Sequence, residues 1–192
     1  TLMRSSAASD VYKRQEENED GDKQIYVFNS RSASVGESLI ALKIQECEEK
    51  GYSFEEVIEH VEAYIEEQHT YFVLENLDTL RKNGRLTGIK SLMASALNIK
   101  PVMGSTPEGT ICQLGQARGV KKAIAKMAEH IVADGKNTEN KVLAIAHCNC
   151  PERAREIERM ILDKIKVKDS FIVETGGIST MYANDGGIIV VL

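Results

Sequence analysis

The stretch from His69 to Arg85 constrains the fold more than any other part of the chain. It reads as a short apolar strand, residues 71–74, followed directly by a helix of one to two turns. Gly84 stands where a left-handed residue commonly closes a helix. Arg85 follows at once, and an arginine held there is a good anion anchor because its guanidinium stays charged and donates in a planar fork. The alternative is a solvated arginine beyond a helix end.

The rest of the chain alternates apolar strands with amphipathic helices. Capping-box patterns at Ser34 and Ser53 open two helices, and further helices are predicted after Thr87, over residues 120–133 and from Pro151. Apolar runs predict strands at residues 25–28, 71–74, 99–103, 110–114, 142–146, 171–173 and 188–192, with a hairpin turn at 106–109 and a loop before the last strand. This mixture predicts an α/β fold with a mixed sheet packed by helices.

The composition argues against several classes of function. The 192 residues carry a formal net charge of −5, tryptophan is absent and aromatic residues make up only 5%. We therefore expect no nucleic acid partner, which would need a basic surface or stacking aromatics. No apolar run approaches membrane-spanning length, and phosphate-binding glycine fingerprints are absent. Four scattered cysteines without a secretory signal favour a reduced, cytoplasmic setting.

Five blocks of the sequence resemble one known family when they are taken in order. The longest block reads Phe72-Val-Leu-Glu-Asn-Leu-Asp-Thr-Leu-Arg-Lys-Asn-Gly-Arg85-Leu-Thr-Gly88. The others read Val27-Phe-Asn-Ser-Arg-Ser-Ala-Ser34, Leu97-Asn-Ile-Lys-Pro-Val102, Arg118-Gly-Val-Lys-Lys-Ala123 and His147-Cys-Asn-Cys-Pro-Glu152. Together they resemble the DegV family of bacterial lipid-binding proteins over about residues 25–192. Each block is modest, but five in the family's order make a specific match.

The resemblance implies a DegV-like two-domain α/β fold that binds a long-chain fatty acid and is not itself an enzyme. No cofactor is implied besides this ligand. Some members are implied to be the acyl-carrying subunit of a fatty acid kinase, presenting the carboxylate to a separate ATP-dependent partner. A fatty acid needs a long apolar slot with a few polar groups at one end. We place the carboxylate near Arg85 and Tyr182, and the candidate slot residues are Val35, Leu39, Phe72, Leu74, Leu97 and Met103.

The segment between Gly176 and Gly186 departs from the family pattern at one position. Both glycines match, whereas Tyr182 stands where the family commonly has a histidine. The resemblance implies that this histidine lies close to the ligand carboxylate or the transferring phosphate. Tyrosine can donate a hydrogen bond but carries no positive charge at neutral pH. The departure is expected to affect kinase-substrate activity more than lipid binding; the alternative is that Tyr182 is only a half-buried loop aromatic.

The first residues differ in character from the rest of the chain. Asp10-Val-Tyr-Lys-Arg-Gln15 resembles a one-frame translation of a sequencing-library transposon end, and residues 16–23 are polar and acidic. We expect residues 1–24 to be a non-native or disordered leader. Residues 25–68 are predicted to be a remnant of the N-terminal α/β domain with linking helices, and residues 69–192 the C-terminal DegV-like lipid-binding domain. The resemblance implies a longer first segment in the family, so we expect a truncated gene product.

Two other interpretations of function stay open at the level of sequence. His147 and Cys148 follow an apolar strand and precede a helix, which would suit a small hydrolase or transferase. The second is an inactive gene fragment. A metal site is disfavoured because zinc usually takes four ligands in paired motifs, whereas Cys148 and Cys150 form a single motif.

Three basic residues gather at the start of one predicted helix. Arg118, Lys121 and Lys122 place positive charge where it opposes the helix macrodipole. This placement suits a nearby anion or an acidic partner surface, such as that of the implied kinase. The alternative is that the arginine lies outside the helix and the lysines point to water.

Overall fold

The fold combines six strands with six α-helices over the residues that the computed structural model describes, 24–86 and 98–192. The helices are α1 (Val35–Glu49), α2 (Phe54–Glu67), α3 (Asp78–Lys82), α4 (Val120–Asp134), α5 (Pro151–Leu162) and α6 (Gly177–Ala183). The strands are β1 (Thr70–Val73), β2 (Ile99–Ser105), β3 (Ile111–Arg118), β4 (Val142–His147), β5 (Asp169–Glu174) and β6 (Ile188–Val191). None of these helices has the length and apolar composition that a membrane span requires.

The strands form one sheet in the order β3-β2-β1-β6-β4-β5. Only β4 and β5 pair in parallel, and the other neighbours are antiparallel, which confirms the predicted mixed sheet. Because β6 runs antiparallel to both of its neighbours, β1 and β4 point the same way. The ends of β1, β3, β4 and β5 and the beginnings of β2 and β6 therefore meet at one end of the sheet, called here the carboxyl end.

Alternation along the strands gives the sheet two buried faces. One face packs against α4 and α5 and carries the larger core. Its strand residues are Tyr71, Val73, Val102, Leu143, Ile145, Ile188 and Val190. The opposite face, called here the α1 face, carries Phe72, Met103, Ala144, Ala146 and Val191, and it is covered by α1, α3 and α6. Successive side chains of a strand point to opposite faces of the sheet, so residues next to each other in sequence pack into different cores.

The structure corrects the sequence analysis at three places. Residues 25–28 form no strand, because no strand within residues 24–86 and 98–192 pairs with their backbone. They lie along α2, where the Tyr26 hydroxyl donates to Glu62 at 2.9 Å. Ser53 forms the predicted capping box with Glu56, but Ser34 has a φ of 59° and makes no capping hydrogen bond. The loop before β6 contains the unforeseen helix α6. The helix predicted after Thr87 falls on residues 87–97, which lie outside the described ranges.

Candidate functional site

An apolar cluster on the α1 face gathers three of the predicted slot residues. We call it the α6 cluster, and its buried members are Phe72, Leu74, Leu80, Met103, Cys148 and Ala183. Phe72 and Met103 are direct partners across the β1–β2 pair, and Leu74 follows β1 toward the carboxyl end. Tyr182 and Ile189 are partly buried against the same cluster. Residues distant in sequence therefore form one continuous apolar surface beneath α3 and α6.

A second cluster continues this surface toward α1. Val35 and Leu39 pack against Ala144, Ala146 and Val191 of the sheet, and Ile189 contacts both this cluster and the α6 cluster. Five of the six predicted slot residues are thus buried on one face of the sheet, in an apolar strip that runs from α1 to α6. The sixth, Leu97, lies outside the described residues. Their role as ligand contacts stays a prediction.

Arg85 stands at the rim of the α6 cluster. Gly84 has a φ of 68°, and the Arg85 amide donates to the Leu80 carbonyl at 2.8 Å, so the predicted glycine-closed helix end is confirmed. The Arg85 side chain is exposed, whereas the next residue, Leu86, packs into the cluster. The helix that Arg85 follows also contacts α6. The arrangement places a permanent cation where the apolar strip meets solvent.

Tyr182 lies on α6 and is half-buried against the cluster. The helix begins after Gly176 and ends at Asn184, which has a φ of 56°. Gly176 and Asn184 bound this segment and were the signal for α6 that the sequence offered. A single short helix has too little apolar periodicity to be recognised from sequence. Since α3 and α6 are in contact, Arg85 and Tyr182 sit on neighbouring elements at the carboxyl end of the sheet. That Arg85 and Tyr182 together hold an anion stays a prediction.

An ionic group that sequence reasoning missed lies directly beyond Leu74. The Glu75 carboxylate accepts from Lys100 Nζ at 2.6 Å and from Arg153 Nη2 at 3.1 Å. Burial raises the pKa of the Glu75 carboxyl, but hydrogen bonds and charges from Lys100 and Arg153 outweigh it, so the pKa is lowered overall. Arg153 also donates from Nη1 to the carbonyl of Gly186. Contacts between such distant residues leave no local pattern in the sequence.

His147 and Cys148 do not form the nucleophile and base pair that a hydrolase would need. His147 Nδ1 accepts the amide of Cys150 at 3.3 Å, and Cys148 is buried in the α6 cluster. Burial raises the pKa of the Cys150 thiol, which disfavours the reactive thiolate. Across residues 24–86 and 98–192, no group of three or more His, Cys, Asp or Glu side chains has metal-binding geometry. The geometry therefore favours an apolar binding site over covalent chemistry.

The basic residues at the start of α4 are exposed. Arg118 ends β3, and Lys121 and Lys122 lie in the first turn of the helix, which has no side-chain cap and no acidic residue there. None of the three forms an ion pair within the described part of the chain. Arg118 pairs in register with Ile99, so this basic surface lies at the carboxyl end of the sheet, as Arg85 and Tyr182 do.

Comparison with known proteins shows similarity along most of the chain. A family model described as an uncharacterised protein of the DegV family matches residues 2–192. A DegV domain-containing protein of Streptococcus pyogenes serotype M1 is 33% identical over 193 residues, which cover 98% of this chain and 67% of that protein. A crystal structure of a DegV family protein from Ruminococcus gnavus with vaccenic acid is 70% identical, has a TM-score of 0.89 and matches 94% of this chain and 64% of its own.

A further solved structure carries a functional name. It is the B3 protein of the Streptococcus pneumoniae fatty acid kinase, loaded with linoleic acid; it is 30% identical, has a TM-score of 0.84 and matches 97% of this chain and 66% of its own. The chain thus spans about two thirds of the length of these relatives. The α/β fold and the family that the five sequence blocks predicted are confirmed. The chain belongs to the DegV family.

Proposed function

We propose that this chain binds a long-chain fatty acid along the apolar strip from α1 to α6, with the carboxylate near Arg85 and Tyr182. The observation that carries the proposal is the alignment of five buried apolar side chains on one sheet face, with the exposed Arg85 at its rim. The relative from Ruminococcus gnavus, whose structure holds vaccenic acid, is 70% identical to this chain. The proposed role is binding, without catalysis by the chain itself.

The chemistry of a fatty acid matches the two parts of the site. Each methylene taken out of water contributes about 0.8 kcal/mol, so a long acyl chain needs an extended apolar surface more than polar contacts. The carboxylate needs charge and a donor at one end, which the Arg85 guanidinium and the Tyr182 hydroxyl supply. Placing these groups at the rim avoids the cost of burying an ion.

The proposed partner is a separate, ATP-dependent fatty acid kinase subunit. This assignment follows the Streptococcus pneumoniae relative, which is named as a protein of a fatty acid kinase. The exposed Arg118, Lys121 and Lys122 lie at the same end of the sheet as the proposed carboxylate site, where they suit an acidic surface. Complementary charge speeds encounter and orients partners more than it adds affinity. Docking there would bring the carboxylate close to the kinase.

The proposed setting is the bacterial cytoplasm. All four cysteines are free thiols, and two of them, Cys47 and Cys148, are buried. Free cysteines are typical of a compartment that keeps thiols reduced. Fatty acids that enter a cell would meet the protein there.

The first prediction is that purified protein carries a lipid. Native mass spectrometry of the 192-residue chain expressed in bacteria should show an adduct that fragments to a long-chain fatty acid, because the apolar strip favours the acyl chain over water. Delipidated protein is the control, and it should regain the adduct when oleic acid is added. Lack of any adduct in both samples would contradict the proposal. Ester hydrolysis that is lost in Cys148→Ser would favour the hydrolase instead.

The second prediction concerns the Tyr182→His variant. Histidine brings a titratable, potentially cationic group beside the carboxylate, where it would stabilise negative charge that develops during phosphoryl transfer. We expect faster acyl-phosphate formation by a bacterial fatty acid kinase with ATP, and nearly unchanged affinity for oleic acid. The measurement is the turnover of protein-bound oleic acid at increasing kinase concentration. Equal rates for both proteins would show that tyrosine suffices, whereas binding without any turnover would make the protein a fatty acid carrier.

A further inference from the structure

The loop between α6 and β6 is tied to the segment that follows β4. The Gly186 amide donates to the Cys148 carbonyl at 2.9 Å, and the Cys148 amide donates to the Gly187 carbonyl at 3.0 Å. Asn149 Nδ2 donates to the Asp185 carboxylate at 2.9 Å. The loop therefore continues the β4–β6 pairing beyond the strands.

One arginine extends this attachment to a second element. Arg153 of α5 uses one nitrogen of its guanidinium for the Gly186 carbonyl and the other for Glu75, which follows β1. Lys100 at the start of β2 holds the second Glu75 oxygen and also donates to the Glu75 carbonyl at 2.7 Å. The side chains of Glu75, Lys100 and Arg153 are only 33%, 17% and 23% exposed. Because the Arg153 guanidinium is planar and donates through two nitrogens, it fixes the orientation of Glu75 and the Gly186 carbonyl as well as their distance.

The backbone of Gly186 lies very close to the side chains of Arg153 and Glu75. Its φ is 81°, which disfavours any residue with a side chain. A Cβ atom here would lie 2.8 Å from Arg153 Nη1 and 3.0 Å from Glu75 Cγ. The glycine therefore lets Arg153 and Glu75 reach the loop backbone.

Apolar packing alone holds α6 weakly. Ala183 is its only buried residue, and Ile178 and Met181 are 72% and 51% exposed. Only three residues separate Tyr182 from Gly186, so a fixed Gly186 carbonyl restrains the position of the tyrosine closely. The polar contacts to the loop thus restrain the position of α6, which has few apolar contacts of its own.

We propose that Glu75 and Arg153 are positioning residues for the carboxylate site: through Gly186 they hold α6 so that Tyr182 stays beside Arg85 at the rim of the α6 cluster. This inference rests on the proposed function. Neither residue has to touch the ligand. Their removal should impair recognition of the carboxylate while the acyl chain still binds to the apolar strip.

The test compares Arg153→Met with Arg155→Met in the full 192-residue chain. Arg155 lies on the same helix and is exposed, with Glu152 at 3.9 Å, so its loss changes the same charge without touching the loop. Affinities for oleic acid and for methyl oleate are measured after delipidation. Arg153→Met should lower the ratio of acid to ester affinity by about two- to thirtyfold and leave ester affinity nearly unchanged. Arg155→Met should keep the wild-type ratio.

A second readout does not depend on lipid. The Cys150 thiol lies 3.5 Å from the Gly187 carbonyl and is partly buried, so release of the loop should expose it. Alkylation by iodoacetamide, followed at Cys150 by peptide mass spectrometry, should be faster in Arg153→Met than in Arg155→Met. Exposure of the thiol has to outweigh loss of the Arg153 charge, which lowers the pKa of Cys150 and whose removal by itself slows the reaction. Glu75→Gln provides a milder variant if Arg153→Met does not fold, and it should shift both readouts in the same direction because Arg153 loses its charged partner.

The outcomes separate this inference from the proposed function. A wild-type chain that binds neither oleic acid nor its ester would refute the proposed function, and the positioning role would fall with it. Normal binding with an unchanged acid-to-ester ratio in Arg153→Met and Glu75→Gln would overturn the positioning role alone. A parallel loss of acid and ester affinity would show that the two residues merely stabilise the fold, which also contradicts the inference.

Discussion

Arg85→Ala is expected to weaken fatty acid binding by more than tenfold. Removing the cation leaves a carboxylate unpaired at the edge of an apolar surface, a change that costs about 2–5 kcal/mol when the pair is desolvated. Because Arg85 is exposed in this structure, screening by water should put the loss at the lower end of that range. The melting temperature of the ligand-free protein should hardly change, since the helix end is held by the backbone of Arg85 and not by its side chain.

Arg81→Ala is the matched control for this experiment. Arg81 lies on α3, the helix that Arg85 follows; it is exposed and pairs with Asp78 at 2.6 Å. Both variants remove one positive charge from the same region, so a general electrostatic effect would weaken binding equally in the two proteins. Titration with oleic acid should show the loss only in Arg85→Ala. Unchanged binding in Arg85→Ala would identify this residue as a solvated arginine beyond a helix end.

Met103→Ala is expected to change which fatty acids the protein carries. Met103 is fully buried beside Phe72 on the α1 face, so its truncation enlarges the space at the proposed site. The change should destabilise the ligand-free protein by about 2–5 kcal/mol, which is usual for a buried methionine. It should also shift the bound lipids toward bulkier or longer acyl chains, because the added volume lies along the apolar strip.

Ile145→Ala separates packing from ligand contact. Ile145 is equally buried in the same sheet but faces α4 and α5, away from the proposed site. Its truncation should cost a similar amount of stability, measured by urea unfolding, without changing the lipid profile seen by native mass spectrometry. If both variants keep the wild-type profile, Met103 is a core residue and the slot lies elsewhere.

Local patterns were sufficient where a segment's own residues decide its conformation. Pro151 begins α5 as predicted, because a missing amide costs nothing at a helix start. Gly84 closes α3, and the hairpin of β2 and β3 forms around the predicted turn. The apolar run at 142–146 forms the buried strand β4, because helices cover both faces of the sheet here and leave no face for polar residues.

Local patterns failed where the outcome depends on a partner. Residues 25–28 have the composition of a strand, but a strand needs a neighbour for its hydrogen bonds, and α2 provides other contacts. Ser34 has the spacing of a cap, yet its backbone conformation prevents the capping bond. The helix α6 is too short to show an amphipathic period, and the loop that follows it hydrogen-bonds to Cys148 and Arg153, which are distant in sequence.

By itself, the sequence determined the family, the mixed α/β character of the sheet, the apolar candidates for the slot and the backbone position of Arg85. The family and, through it, the slot candidates come from the resemblance of five sequence blocks. The character of the sheet and the backbone position of Arg85 follow from spacing within a few residues, which is the range over which helix, strand and turn preferences act. The tertiary structure alone decided which candidates share a face, that Tyr182 packs against the α6 cluster, and that Glu75 pairs with Lys100 and Arg153. Strand order and register bring these distant groups together, and no local preference encodes that pairing.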